Sequence, residues 1–440
     1  MQQSILIGFL NQKYNDPNLI IAIGSGMTQL SLVFYPIFFG IITTYTIIGS
    51  SAYGAKKHYL LGTHLNRCKF YAYSIAIILA IVYLASNRFV GNLLKLNPVA
   101  QSYTFTYLWM RLISLFFEFE FVFLITYIQI IGKGYLGAAV LVISSLLFPL
   151  YCYLFIIVAN LSFYGPGLTI IVFNISMAFI FWVFIHILGK NKDHILFFNM
   201  DIFNEFLYIV KISAPLYLMN LLDNLSYESM SIFANYQAKD DYNGYIIVSS
   251  VLSIMATIAN GFMVVTNVSI SNLMGRNLYE RAKTLSLYIL INANLIGLVL
   301  YIPVVCLKPQ IIHLLTPIGP IFNIANDIYF EMLFCIFTEI SCSIFFGIFV
   351  SVGRFYLALL LFAIFSGVNI LSIYLFLNVF NVGIGGVFLG AAISRLIMLI
   401  VYSLIYTFVI DWKECAEAMK IEIEKGAEIA NKEIEKSKET

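Results

Sequence analysis

Charged side chains are scarce in this sequence of 440 residues, and their scarcity limits the kind of protein it can encode. Only 11% of the residues are Asp, Glu, Lys or Arg, whereas 61% are hydrophobic, and the mean hydropathy is +0.90. Soluble domains carry roughly 25% charged residues, so a water-soluble fold is excluded and a protein embedded in lipid is expected. The net charge of +2 is too small to indicate a nucleic-acid partner.

Residues that support enzyme chemistry are also few. The six cysteines show no CxxC spacing, and the five histidines show no spacing typical of metal ligands. We find no phosphate-binding glycine loop, HExxH motif or nucleophile elbow. The sequence therefore predicts a protein that is not an enzyme, with no metal, no cofactor and no ATP-driven step.

Long apolar runs dominate the chain, and a run of about 20 residues is enough to cross a bilayer as a helix. Eleven such runs occur, at residues 19–50, 68–86, 102–131, 135–158, 165–188, 206–236, 244–274, 284–307, 322–352, 355–379 and 384–410. They predict an all-α integral membrane protein with about eleven transmembrane helices.

Basic residues fall mainly in one set of alternate connections between these runs. That set holds Lys56, Lys57, Arg67, Lys69, Lys133, Lys190, Lys192, Arg276, Arg281, Lys283 and Arg354. The opposite set holds Lys13, Arg88, Lys95, Lys239 and Lys308. The positive-inside rule then places the C-terminus on the cytoplasmic side of the membrane. The membrane is expected to be the plasma membrane or that of an organelle.

The two halves of the sequence resemble each other at one constant separation along the chain. Gly54 recurs as Gly275, Gly132 as Gly353, Gly40 as Gly261 and Gly165 as Gly386. The difference in residue number between the two members is the same in all four pairs, and we call this difference the repeat offset. We therefore predict two parallel repeats of six helices. Because Met1 corresponds to Leu222 in the middle of a run, most of the first helix of the first repeat is expected to be absent, either through a lost exon or in a true eleven-span protein.

This repeat sets the predicted domains. We expect an N-terminal lobe of five helices at residues 1–188, a cytoplasmic linker at 189–205, a C-terminal lobe of six helices at 206–410 and a charged helical tail at 411–440. The tail is expected to be either solvated or docked on the membrane, with Trp412 at the interface.

Five acidic residues lie inside predicted spans, where charges are costly and usually functional. They are Glu118, Glu120, Asp223, Glu228 and Glu339, and Glu118 and Glu339 are again separated by the repeat offset. Two arginines, Arg111 and Arg395, lie in spans as well. These groups could form ion pairs that only hold helices together, but two cations cannot neutralise five carboxylates. The excess negative charge predicts bound protons or a bound cation.

Several short segments resemble the multidrug and toxic compound extrusion (MATE) family, in order along essentially the whole chain. Residues 49–55 read GSSAYGA, close to the family's SQAYGA run, with Ser51 in place of the glutamine. Residues 223–228 read DNLSYE where the family has EWWSFE, and residues 268–275 read VSISNLMG where it has VRVGNALG. Ser250 stands where some eukaryotic members have a glutamate.

The resemblance implies a two-lobe fold that works by alternating access and exports organic cations in exchange for protons or sodium. The family's acidic residues carry over to Asp223, Glu228 and Glu339. We therefore predict a secondary antiporter, in monomeric form, in which Asp223, Glu228, Glu339 and Glu118 bind substrate or protons and Arg395 is a candidate counter-ion. Two alternatives stay open: a flippase for lipid-linked oligosaccharides, which should have a cationic cavity, and a degenerate relative that does not transport.

Overall fold

The structure is a computed structural model, and it describes residues 6, 9–10, 13–14, 17–93, 98–161, 163–188, 206–237, 241–316 and 319–439. Within these ranges every regular element is helical. The first half contains α1 (Pro17–Gly54), α2 (His58–Leu93), α3 (Pro98–Ile130), α4 (Gly134–Cys152) and α5 (Tyr164–Leu188). The second half contains α6 (Phe206–Gln237), α7 (Tyr242–Gly275), α8 (Tyr279–Cys306), α9 (Lys308–Leu315), α10 (Pro320–Asp327), α11 (Tyr329–Ser351), α12 (Phe355–Tyr374), α13 (Gly385–Phe408) and α14 (Trp412–Glu439).

Eleven of these helices correspond to the eleven predicted spans, which confirms the all-α membrane architecture. Nine helices of the described chain are long and apolar enough to cross a membrane by length and composition alone. The other two, α3 and α6, are 33 and 32 residues long and carry four of the five acids predicted inside spans: Glu118, Glu120, Asp223 and Glu228.

Two predicted span boundaries were wrong. The run predicted at 68–86 belongs to α2, which begins well before it at His58, because a helix continues through polar turns that a hydropathy window excludes. The run predicted at 322–352 is divided at Ile328 into the short helix α10 and the spanning helix α11.

The backbone repeats itself at the separation found in the sequence. The first residues of α2, α4 and α5 precede those of α8, α12 and α13, respectively, by the repeat offset. The residues with positive φ also form pairs at this offset: Lys56 with Asn277, Gly132 with Gly353, and Asn160 with Asn381. These agreements confirm two structural repeats.

Gly132 and Gly353 show why glycine marks the repeat. Each follows a helix with φ of +78° or +82°, a conformation that glycine adopts without a steric penalty. The next amide closes the helix in the same way in both repeats: Lys133 N donates to Ile128 O, and Arg354 N donates to Phe349 O at 3.1 Å. This is the hydrogen-bond pattern of a glycine-terminated helix.

The contacts divide the chain into two compact units. The first unit comprises Met1–Gly49 and Lys57–Tyr217, and the second comprises Ser50–Lys56 and Leu218–Thr440. In the first unit α3 packs against α5, and in the second the equivalent helix α11 packs against α13 and α7. The predicted linker 189–205 lies outside the described residues, as do Lys95, Lys190, Lys192 and Lys239. The domain boundaries and the membrane orientation therefore stay predictions.

Within the second unit, the ends of α1 and α7 cross at two glycines. A Cβ atom on Gly54 would lie 2.1 Å from the carbonyl oxygen of Asn272, and one on Gly275 would lie 2.1 Å from the carbonyl oxygen of Ser51. Because Ser51 and Asn272 are themselves separated by the repeat offset, the two contacts are equivalent. Only a residue without a side chain allows the two backbones to approach this closely.

The charged tail begins in contact with the second unit. Asp411 caps α14, since its Oδ1 accepts hydrogen bonds from the amides of Lys413 at 2.9 Å and Glu414 at 3.0 Å. Trp412 is buried against Tyr406, with ring centroids 5.8 Å apart. Trp412 thus packs inside the protein, and its expected position at the membrane interface stays a prediction.

Candidate functional site

The charged centre of the second unit is an ion pair between α11 and α13. Arg395 Nε donates to Glu339 Oε2 at 2.5 Å, and the two side chains are only 5% and 14% exposed. The same guanidinium reaches the carbonyl oxygen of Ala391 one turn back on α13. Arg395 therefore contacts Glu339 of α11 directly, and its role as a counter-ion stays a prediction.

Tyr227 on α6 completes this centre. Its hydroxyl donates to the other oxygen of Glu339, Oε1, at 2.9 Å. Its ring lies 5.7 Å from Arg395 Cζ, and the ring of Phe365 on α12 lies 5.9 Å from the same atom. Two aromatic faces therefore surround a buried cation and stabilise it. The sequence pattern gave no indication that the rings of Tyr227 and Phe365 lie beside Arg395.

Asp223 lies one helical turn before Tyr227, on the same face of α6. It is close enough to Glu339 and Arg395 to interact electrostatically with both. Arg395 is already paired with Glu339, and within the described part of the chain no basic side chain forms an ion pair with Asp223.

Glu228 faces a different part of the second unit. It lines a cavity of about 310 Å³ between α6 and α7. Its neighbours there include Tyr227 and Tyr245, and the wall on α7 is rich in serine: Ser249, Ser250 and Ser253. Tyr227 therefore contacts both the Glu228 cavity and the Glu339–Arg395 pair, which links the two sites through one side chain.

The first unit contains a similar centre built from different positions. Arg111 Nη2 lies 2.7 Å from Glu118 Oε2, and Tyr35 bridges them, accepting from Arg111 and donating to Glu118 Oε1 at 3.3 Å. Glu118 corresponds to Glu339, but the residue equivalent to Arg395 is Asn174. In the first unit the arginine therefore lies on the same helix as its acid, α3, whereas in the second unit it lies on a different helix, α13.

The number of unpaired acids differs from the expectation. Glu120 forms an ion pair of 2.6 Å with Lys69 and accepts a hydrogen bond from Tyr73. Lys69 was assigned to a connection between spans, but it lies inside α2. Three of the five acids therefore have a basic partner in the described chain, and the excess negative charge rests on Asp223 and Glu228.

Comparison with known proteins places the chain in a family. The family model MatE matches residues 4–154 and again residues 215–375. The chain belongs to the MatE family of multidrug and toxin efflux transporters. The last residues of the two matches to one model are separated by the repeat offset, so both matches end at equivalent positions of the internal repeat. As a member of this family, the chain is a multi-pass membrane protein.

Individual relatives are distant in sequence but close in fold. Protein DETOXIFICATION 28 of Arabidopsis thaliana is 22% identical over 409 residues, which cover 89% of this MatE chain and 80% of the relative. The crystal structure of the eukaryotic MATE transporter AtDTX14 superposes with a TM-score of 0.84 at 14% identity, covering 96% and 94% of the two chains. The Vibrio cholerae MATE transporter VcmN in its bent form gives a TM-score of 0.77 at 16% identity, covering 96% and 93%.

These comparisons establish the fold of the MatE chain and leave the roles of its acids as predictions. The described residues contain no group of three or more His, Cys, Asp or Glu side chains arranged to hold a metal ion. The relatives are transporters, and their family membership agrees with a chain that is not an enzyme.

Proposed function

We propose that this MatE protein is a secondary antiporter that exports organic cations in exchange for protons, with Asp223, Glu228 and Glu339 as its binding groups. The names of its relatives, which refer to detoxification and multidrug resistance, support this class of substrate. The proposal assigns the exchange to the second unit.

The charge balance of the second unit is the observation that carries the proposal. Asp223, Glu228 and Glu339 bring three negative charges into the spanning helices, and Arg395 brings one positive charge, which is held by Glu339. Uncompensated charge inside a membrane protein is costly, so Asp223 and Glu228 require a proton or a bound cation. Because either can supply the missing positive charge, binding of one favours release of the other.

Tyr227 provides the physical connection between these events. A cation beside Glu228 enters a cavity lined by Tyr227, whose hydroxyl donates to Glu339. Movement of Tyr227 changes the hydrogen bonding of Glu339, which in turn interacts with Asp223. The two carboxylates of α6 and the Glu339–Arg395 ion pair therefore act as one coupled system.

The acidic lining also weighs against the alternative of a flippase for anionic lipid-linked sugars, since Glu228 would repel a pyrophosphate. From the sequence alone, we further propose that the protein is a monomer, that its C-terminus is cytoplasmic and that it contains no cofactor.

Uptake of a fluorescent organic cation into proteoliposomes tests the proposal. With an imposed pH gradient and no sodium, we expect the wild type to accumulate the dye, whereas Asp223→Asn and Glu228→Gln lose most of this uptake because each removes a site for a proton or cation. Glu280→Gln, an exposed acid at the start of α8, is the matched control and should behave as the wild type.

Two results would contradict this proposal. Undiminished uptake by both α6 variants would remove these acids from the pathway. Uptake driven by a sodium gradient alone, and not by a pH gradient, would replace the proton with sodium as the coupling ion.

A further inference from the structure

One wall of the cavity beside Glu228 carries several hydrogen-bond acceptors. Three serines of α7, Ser249, Ser250 and Ser253, line it. Ser253 follows Ser250 by three residues and Ser249 by four, which are the spacings of neighbours on a helix surface. Opposite them on α6, Glu228 contributes a carboxylate, which only accepts hydrogen bonds when ionised.

The protons of these serine hydroxyls are already engaged. Ser249 Oγ donates to the carbonyl oxygen of Ile246 at 3.0 Å, and Ser250 Oγ donates to the same oxygen at 2.8 Å. Ser253 Oγ donates to the carbonyl oxygen of Ser250 at 2.9 Å. A carbonyl oxygen can only accept, so in each of these bonds the hydroxyl is the donor.

Each serine oxygen therefore has its lone pairs left over and no proton to offer the cavity. A ligand that required donors from this wall would have to break a serine–backbone hydrogen bond first. A ligand that brings its own N–H donors can bind Glu228 and the serine oxygens at the same time.

We infer that the Glu228 cavity selects organic cations that carry N–H donors, namely primary ammonium or guanidinium groups, over quaternary ammonium ions of the same charge and size. This inference rests on the proposed function, since it names the substrate class of the same site. Tyr227 and Tyr245 also line the cavity. The discrimination comes from the Glu228 carboxylate and the serine oxygens, which accept hydrogen bonds that only a cation with N–H groups can donate.

Two isomeric cations isolate this property. n-Butylammonium and tetramethylammonium have the same formula and charge, but only the first has N–H groups. Their affinities for the purified protein in detergent can be measured by displacement of a bound fluorescent cation. We expect the wild type to bind n-butylammonium at least about tenfold more tightly, as one or two additional hydrogen bonds provide.

The triple variant Ser249→Ala/Ser250→Ala/Ser253→Ala removes the acceptor wall and leaves the charge in place. It should lose most of the preference for n-butylammonium, because only the carboxylate of Glu228 then accepts hydrogen bonds from the N–H groups. Its affinity for tetramethylammonium should stay within about twofold, since that ion makes no hydrogen bonds. Ser403→Ala is the matched control, because Ser403 on α13 has the same hydrogen bond to a backbone carbonyl, that of Leu399, and does not line the cavity. It should keep the wild-type preference.

Glu228→Gln separates failure of this inference from failure of the proposed function. If this variant weakens binding of both isomers but the wild type does not distinguish them, the donor selectivity is overturned and the cation site stands. If the variant leaves both affinities unchanged, Glu228 is not the cation site and the proposed function fails with it.

Discussion

Replacement of Glu339 by glutamine should abolish uptake driven by the pH gradient, with a fall of at least about tenfold. An amide cannot bind and release a proton, and it leaves Arg395 as a buried cation without its partner, an arrangement that costs about 3–5 kcal/mol. Arg395 would then turn to Asp223, an acid with which it already interacts. That acid would be neutralised by a fixed charge, so it would no longer exchange a proton for a cation. Proteoliposome uptake measures the loss directly.

Glu118→Gln is the matched control for this variant. It removes the equivalent carboxylate of the first unit and leaves Arg111 buried, so it should destabilise the protein to a similar degree. Among the described residues, Arg111 interacts with Glu118 and with two tyrosines but with no second acid. We therefore expect the uptake per folded molecule to stay near that of the wild type. If both variants lose coupling equally, Glu118 belongs to the pathway, as the sequence predicts, and the restriction to the second unit is wrong.

Replacement of Gly275 by alanine should weaken the fold strongly. The new Cβ would lie 2.1 Å from a backbone carbonyl oxygen, so the two helices must separate rather than a side chain rotate. Overpacking of this kind costs about 1–3 kcal/mol. Gly54→Ala should have the same effect through the equivalent contact with Asn272. Thermal unfolding followed by intrinsic fluorescence measures the change.

A second glycine of α7 serves as the control for this effect. A Cβ on Gly261 would meet no atom within 4 Å, and alanine is the better helix former by about 1 kcal/mol. We therefore expect Gly261→Ala to be neutral or stabilising. If Gly275→Ala is equally harmless, the close crossing of α1 and α7 does not exist in the membrane.

The repeat was predictable from sequence because it depends on backbone conformation. Gly132 and Gly353 occupy turns with positive φ, and Gly54 and Gly275 occupy a crossing that excludes a side chain, so glycine recurs at these four positions. The sequence indicated that the glycines were equivalent. It did not indicate that Gly54 and Gly275 lie at one crossing, because a contact between distant segments has no local pattern.

The acids of the candidate site were predictable for a different reason. A charge such as Glu339 stands out in an apolar run because it is costly there. Tyr227 could not be selected in the same way, since aromatic residues make up 16% of the chain. Lys69 was missed because it stands at the polar start of the predicted run 68–86 and was counted with the basic residues of the neighbouring connection. The serine wall was missed because serine satisfies its own hydroxyl within a helix and therefore leaves no signal.

Protons and organic cations should compete for the excess negative charge of Asp223 and Glu228. Proton release on cation binding can be followed with a pH-sensitive dye and purified protein in weakly buffered detergent solution near neutral pH. We expect about one proton or more to be released per cation bound by the wild type, and none by the double variant Asp223→Asn/Glu228→Gln. Cation binding to the wild type without any proton release would show that the two do not compete.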